Sequence, residues 1–441
     1  MFSNIQAITA RWIIPIIPAK TILENYTLII DNDCIIDLLP RDIAMNKYSG
    51  IELEEFETHV LMPGLINTHT HLAMNLFKGM ADDLELEDWL QNYIWPAESA
   101  TLSHKMVEDG TTLALFESIQ SGVTCVNDHY FFSEAVSKAV IKAGVRARIS
   151  HCIFSFPLPW IDDVETYFEQ SNKLINDYKS NPYIYPCLGP HAPYTTDDEI
   201  MDKVTSLSQK HDIPVHIHLH ETKKEVDDFI KDKGKSPVAY FHEKKWLHNN
   251  FIAVHMTQMT EAEAEMLSQN NVSIAHCPES NMKLSSGAFN WELANKYNIN
   301  VSLGTDGAAS NNDLDMLGES KSASFLAKLQ FGPKSLNVFE ALEMLTINGA
   351  KALKLEDEIG SLEIGKKADF IAINMDSLDC EPIYNIASQV IFASTRNQIT
   401  DSWVHGKRIM KDRNVLTLNE EQIRAQTQLW QKKIIDSINQ K

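Results

Sequence analysis

Two histidines one residue apart, His69 and His71, close the segment Pro63-Gly64-Leu65-Ile66-Asn67-Thr68-His69-Thr70-His71. Side chains at i and i+2 of a strand share a face, so both imidazoles can reach one divalent cation, and zinc takes such neutral nitrogens at about 2.0–2.1 Å. Alone, the pair more often describes a polar strand end. A second run, Val215-His216-Ile217-His218-Leu219-His220-Glu221, alternates strictly and sets three histidines on one face. A position near the strand's end reaches an active-site mouth and a deeper one does not. His218 is therefore the third candidate ligand, His216 fills the interior or supports another ligand, and His220 stays open. In Val301-Ser302-Leu303-Gly304-Thr305-Asp306-Gly307, glycines allow a sharp turn and close approach beside a carboxylate, which makes Asp306 the fourth candidate. Three nitrogens and one oxygen with room for water form the open arrangement of a catalytic zinc, which lowers the pKa of its water to about 7. Glu221 and His255, at neighbouring strand ends, are the candidates for handling protons, although each taken singly is as readily structural.

These groups need a scaffold that delivers them to one place. Eight short apolar or β-branched runs, at 61–67, 122–127, 146–151, 183–188, 213–219, 251–254, 272–275 and 300–304, alternate with stretches long enough for helices. One such stretch, 260–269, opens with a threonine cap and an acidic first turn. The runs end in His69 and His71, His129, His151, His191, His218 and His220, His255, and His276, and the eighth ends in Asp306. That pattern predicts an α/β fold: a (β/α)8 TIM barrel over 61–359, with its active site at the C-terminal mouth. Short β-like runs in 1–60 and 360–441 predict a small β-sandwich domain built from both chain ends. The C-terminal part adds a final amphipathic helix capped by Asn419, with Ile423, Trp430 and Ile434 on its packing face.

Composition narrows the function classes. A net charge of −21 over 441 residues would repel a phosphate backbone, so nucleic acid is not an expected partner. No apolar run approaches the ~20 residues of a membrane span, and the N-terminal stretch lacks the features of a secretory signal. Six scattered cysteines without a CxxC pair fit a reducing compartment. A cytoplasmic enzyme without membrane or nucleic-acid partners is expected, and apolar C-terminal segments suggest a homo-oligomer.

The chain resembles the amidohydrolase superfamily, and within it the 5′-methylthioadenosine/S-adenosylhomocysteine deaminases. The resemblance runs over nearly the whole chain through PGLINTHTHLAMNLFKGMADDLELEDWL, IWPAE, LGPHAPY, HIHLHET, AHCPESNMKL, LGTDGAASNN and GSLEIGKKADF. It implies one zinc or iron ion on His69, His71, His218 and Asp306, and the same ligand types also accept manganese. By the same likeness Glu221 would protonate the purine at N1, His255 would orient the attacking water, and Asp306 would relay that water's proton to the departing amine. Such an acid is needed because attack at C6 of adenine puts negative charge on the ring nitrogen. Glu98 would accept hydrogen bonds from the ribose diol, and His191 would contact the nucleoside. His151 is a further expected substrate contact, and it stands where some members of this family carry an arginine for a charged tail, which disfavours S-adenosylhomocysteine relative to methylthioadenosine. The segment between His71 and Glu98, with Leu72, Met74, Leu76, Phe77 and Trp89, reads either as a lid over the substrate or as packing on the barrel rim. Asp82 and Asp83 are expected to cap the turn after them. The loop 154–160 could line an apolar tail pocket. Hydrolytic deamination of a 6-aminopurine nucleoside is thus expected, methylthioadenosine first, with S-adenosylhomocysteine and adenosine as further substrates. The competing readings are an aminohydrolase of guanine or a chlorotriazine, and a non-catalytic barrel scaffold.

Overall fold

The structure, a computed structural model, describes residues 5–439. In chain order its strands are β1 (Ile5–Ile13), β2 (Leu23–Asp31), β3 (Cys34–Pro40), β4 (Leu53–Pro63), β5 (Leu65–Thr70), β6 (Val123–Tyr130), β7 (Arg146–Ile153), β8 (Ile184–Pro190), β9 (Val215–Leu219), β10 (Phe251–His255), β11 (Ser273–His276), β12 (Asn300–Leu303), β13 (Phe370–Asn374), β14 (Ile399–Val404), β15 (Lys407–Lys411) and β16 (Asn414–Val415). The middle eight form one parallel sheet in the order β12-β11-β10-β9-β8-β7-β6-β5. Every residue of β6 and β7 is buried, as expected where helices cover one face of a strand and the barrel interior covers the other. β12 meets β5 through side chains: Thr68 Oγ1 donates to Leu303 O at 2.7 Å and Asn67 Nδ2 to Thr305 Oγ1 at 2.8 Å. Gly304 permits that approach, since a Cβ there would lie 2.8 Å from both Cβ and N of His69.

The expected eight-unit barrel is present, but its first run divides. Leu61 and Met62 belong to β4 and pair with Ala372 and Ile371 of β13, whereas Leu65 starts the barrel. The switch is made at Gly64, whose N–H donates to Asp369 O at 3.0 Å and where a Cβ would collide with Thr124 Oγ1 at 2.0 Å. Most of β4 escapes sequence reading because Glu54, Glu55 and Glu57 interrupt its apolar pattern, and all three are exposed.

The first four and last four strands form the second sheet, in the order β16-β15-β14-β13-β4-β1-β2-β3. Its outer strand β3 curls back onto the segment before β13, with Ile35 N–H donating to Lys366 O at 2.8 Å and Ala368 N–H to Asp33 O at 2.8 Å. The two faces so brought together enclose Ile8, Leu28, Ile30, Phe370 and Trp403, the last two stacked at 4.3 Å. A left-handed His405-Gly406 turn joins β14 to β15, as its residue types suggest. The Glu420–Asn439 helix starts at Asn419, whose Oδ1 accepts from Gln422 N–H at 2.9 Å, and it buries Ile423, Trp430 and Ile434. Among the described residues no helix is long and apolar enough to cross a membrane.

Candidate active site

At the C-terminal ends of the barrel strands, His69 and His71 from β5 meet His218 from β9 and Asp306 from the turn after β12. The strand period sets the first two on one face, and their rings lie 4.8 Å apart, with His69 and His218 at 5.0 Å. Asp306 Oδ1 is 3.3 Å from Nε2 of His69 and 3.3 Å from Nε2 of His71. Each ring commits its other nitrogen to a neighbour: His71 Nδ1 to His129 O at 2.5 Å, His218 Nδ1 to His191 O at 2.7 Å, and His69 Nδ1 to His216 Nε2 at 3.0 Å. A carbonyl only accepts, so His71 and His218 donate from Nδ1 and turn Nε2 lone pairs inward. Those two Nε2 atoms face each other at 3.3 Å, and His69 Nε2 is buried without a hydrogen-bond partner among the described residues. Converging lone pairs beside a carboxylate fit a cation, and this donor set suits a borderline divalent metal.

Electrostatics agrees with that fit. Burial pulls the His69 imidazole down to about 3 and holds His218 well below the ordinary histidine value, so both stay neutral and able to bind a metal. At His71 burial also opposes charge, but the Asp306 carboxylate overcomes it and raises the ring, marking a position that favours a positive ion. Burial alone would raise Asp306, yet His69 and His71 keep it well below the usual carboxylate range. Its Oδ2 accepts from Ser280 Oγ at 2.7 Å and Ser310 Oγ at 3.0 Å, which fixes Oδ1 toward the histidines.

Glu221 and His255 stand beside this cluster. His255 Nε2 is 3.8 Å from Glu221 Oε2, and Ser286 Oγ is 3.4 Å from Glu221 Oε1. Burial, reinforced by the Asp306 charge, pushes Glu221 up to about 8. Burial lowers His255, whose Nδ1 meets Asn281 Oδ1 at 2.9 Å; the amide oxygen accepts, leaving Nε2 as a free base.

A cavity of about 310 Å³ lies over the cluster, within the range of small-ligand sites. Its wall includes His71, His218, Glu221, His255 and Asp306, together with Trp89, Glu98 and His191, and no lysine or arginine among the described residues. Glu98 accepts from Tyr130 OH at 2.5 Å, and burial raises its carboxyl to about 7. His191 stacks on Phe154 at 4.6 Å. Phe131 packs on Phe154 at 6.0 Å and on Trp160 at 5.0 Å, giving the cavity an aromatic wall.

His151 is not on that wall. Strand alternation turns its neighbour Cys152 to the cavity and His151 outward against Tyr167, at 6.0 Å, so its expected contact with substrate is not supported. The nearby Arg148 is bonded to Leu353 O and Pro186 O, away from the cavity. The segment after His71 divides: Leu72 and Phe77 pack in the core, whereas Met74, Trp89, Leu90 and Trp95 face the cavity. Asp82 binds Lys283 Nζ at 2.5 Å in place of the expected cap. His216 supports His69, His220 accepts from Val238 N–H at 3.2 Å, and His276 stacks on Phe289 at 4.6 Å. Sequence reading missed Tyr130, Ser280, Asn281, Ser286 and Ser310. Tyr130 carried a local signal as the residue after a strand-end histidine, and Ser280, Asn281 and Ser310 lie inside the motifs AHCPESNMKL and LGTDGAASNN, whereas Ser286 carried none.

The chain matches the amidohydrolase family over residues 60–409. It is 39% identical over 429 residues to a 5-methylthioadenosine/S-adenosylhomocysteine deaminase of Teredinibacter turnerae, covering 97% of both chains. To the enzyme of that name from Saccharophagus degradans it is 40% identical, covering 97% of this chain and 96% of that one. A crystal structure of an adenosine deaminase from Xanthomonas campestris with bound zinc superposes with a TM-score of 0.95 at 37% identity, over 98% of each chain. With these likenesses spanning both the barrel and the flanking sheet, the chain belongs to the amidohydrolase family, in its 5-methylthioadenosine/S-adenosylhomocysteine deaminase group.

Proposed function

We propose that this protein is a metal-dependent aminohydrolase that converts 5′-methylthioadenosine and water to 5′-methylthioinosine and ammonia. The observation that carries the reading is the convergence of three imidazole Nε2 atoms and Asp306 Oδ1 next to a carboxyl, Glu221, whose titration is pushed up to about 8. His69, His71, His218 and Asp306 would hold one divalent ion per chain, most suitably zinc. When bound, the ion would supply a water that ionises near neutral pH. Glu221 enters the reaction protonated and donates to the purine N1 as C6 is attacked. His255, neutral with Nε2 free, accepts a hydrogen bond from the attacking water and orients it. Asp306, fixed by Ser280 and Ser310, carries a proton from that water to the leaving amine. As ammonia departs, the proton of the oxygen now on C6 passes to the Glu221 carboxylate, which restores the acid and leaves the ring as hypoxanthine.

Glu98 suits a ribose, since a carboxylate offers two acceptor oxygens to a vicinal diol. Phe131, Phe154 and Trp160 suit a short thioether tail. An amino-acid tail finds no cation on this wall, so S-adenosylhomocysteine ranks below methylthioadenosine as substrate.

The test is ammonia release from methylthioadenosine, adenosine, S-adenosylhomocysteine, guanine and a triazine, with zinc-loaded and chelator-stripped protein. The highest kcat/KM is expected for methylthioadenosine, with activity lost on stripping and regained on reloading. Zinc-loaded protein that releases ammonia from no nucleoside would refute the reading.

A further inference from the structure

Among the described residues, three helices begin with a cap residue followed three places later by glutamate: Thr222 with Glu225, Thr260 with Glu263, and Asn337 with Glu340. At Thr260 and Asn337 the glutamate turns back onto the cap's own N–H, at 2.8 and 2.7 Å, completing the reciprocal pair that closes a helix start. Glu225 does otherwise. Its N–H still donates to Thr222 Oγ1 at 3.1 Å, but its carboxylate passes the cap: one oxygen accepts from His220 N–H at 3.0 Å and the other from Glu221 N–H at 2.8 Å.

One carboxylate thus grips two successive amides of the turn that carries Glu221 out of β9. Successive N–H groups around a left-handed residue make a concavity that receives an anion, and His220 has φ of 53°. A histidine holds that conformation only where its surroundings impose it. The carbonyl side of the turn is held as well, with Thr257 Oγ1 donating to Glu221 O at 2.7 Å and Gln258 N–H to His220 O at 3.3 Å.

We infer that Glu225 is a positioning residue for the acid of the proposed reaction: its carboxylate fixes the 220–221 turn and thereby keeps the Glu221 side chain in the cavity, between Ser286 and His255. The inference rests on the role given to Glu221 above. Loss of a helix cap costs stability alone, whereas loss of this grip frees the turn that aims Glu221, and a small misplacement of a catalytic group is paid in turnover.

The test compares wild type, Glu225→Gln, Glu225→Asp and Glu340→Gln in zinc-loaded full-length protein. It measures kcat and KM on methylthioadenosine, thermal midpoint, and amide hydrogen exchange of the peptide spanning 218–222. Glutamine keeps one acceptor but turns a donor on the second N–H. For E225Q the expectation is a kcat lowered about ten- to a hundredfold with KM changed less than about threefold, and faster exchange in the 218–222 peptide. E225D should fall between it and wild type, because its shorter arm reaches one N–H. E340Q makes the same exchange at a true cap, where one acceptor suffices, and should keep wild-type kcat and exchange in the 218–222 peptide, whatever its midpoint. An E225Q enzyme within about twofold of wild-type kcat, or with unchanged exchange at 218–222, overturns the inference. If E225Q does not fold, the same readings on E225D decide. If wild type releases no ammonia, the reading of Glu221 as acid falls instead, and the exchange data alone decide whether Glu225 holds the turn.

Discussion

A glutamate in water titrates near 4.5, whereas burial beside Asp306 pushes Glu221 up to about 8. At neutral pH its folded form therefore keeps the proton, and the fraction able to donate falls as pH climbs through that value. An acid-catalysed deamination should hold its kcat/KM below this range and lose it above, and Glu221→Gln should lower kcat/KM by about 10²- to 10⁴-fold at neutral pH, with the gap narrowing as pH rises. Ammonia release followed across neutral to alkaline pH checks both, and a wild-type kcat/KM flat through the alkaline range would contradict the acid role. Glu221 was legible because it follows three alternating histidines at a strand end. Ser280 and Asn281, which fix Asp306 and His255, lie inside the AHCPESNMKL motif but were given no role, since the partners that define their roles lie 26 residues away. His151 misled for a related reason: an aligned position says nothing of which face of β7 it occupies, and that face belongs to Cys152.

At the scale of elements, the proposed ligand set depends on how closely β12 can lie against β5. Gly304→Ala would place a methyl group 2.8 Å from His69 Cβ and N, so the strand ends must separate. The expected cost is about 1–3 kcal/mol of stability, read by urea unfolding, together with zinc lost on dialysis that wild type retains. A variant with unaltered stability and full zinc content would disprove the tight closure. The eight strands could be read because buried parallel strands are short apolar runs, and helix starts because caps have a signature. The T-x-x-E signature at Thr222 nevertheless reads as a cap whose glutamate the tertiary structure diverts, because a nearby strained turn offers two amide donors in place of one.

At the scale of the molecule, barrel and second sheet are fastened at the end opposite the cavity. Arg146, at the start of β7, donates from Nε to Asp369 Oδ2 at 2.6 Å, and both side chains are out of water, at 0% and 1% exposure. Asp369 also accepts from His405 N–H at 2.9 Å. Arg146→Ala would leave that carboxylate buried without its cation, at a cost of about 3–5 kcal/mol. Guanidinium unfolding should report the loss, while kcat of the folded fraction stays near wild type because the proposed catalytic groups lie at the other end of the strands. The sequence by itself determined the inventory: which imidazoles and carboxylates stand at strand ends, that two of them share a face, and that the strands repeat often enough to close. Those are properties of one segment at a time, set by a period of two along a strand. Only the tertiary structure decided which nitrogen of each histidine faces inward, that Cys152 and not His151 meets the cavity, and that Glu225 reaches the Glu221 turn. Each depends on distances between atoms of different elements, which are set when the barrel closes and appear in no local pattern.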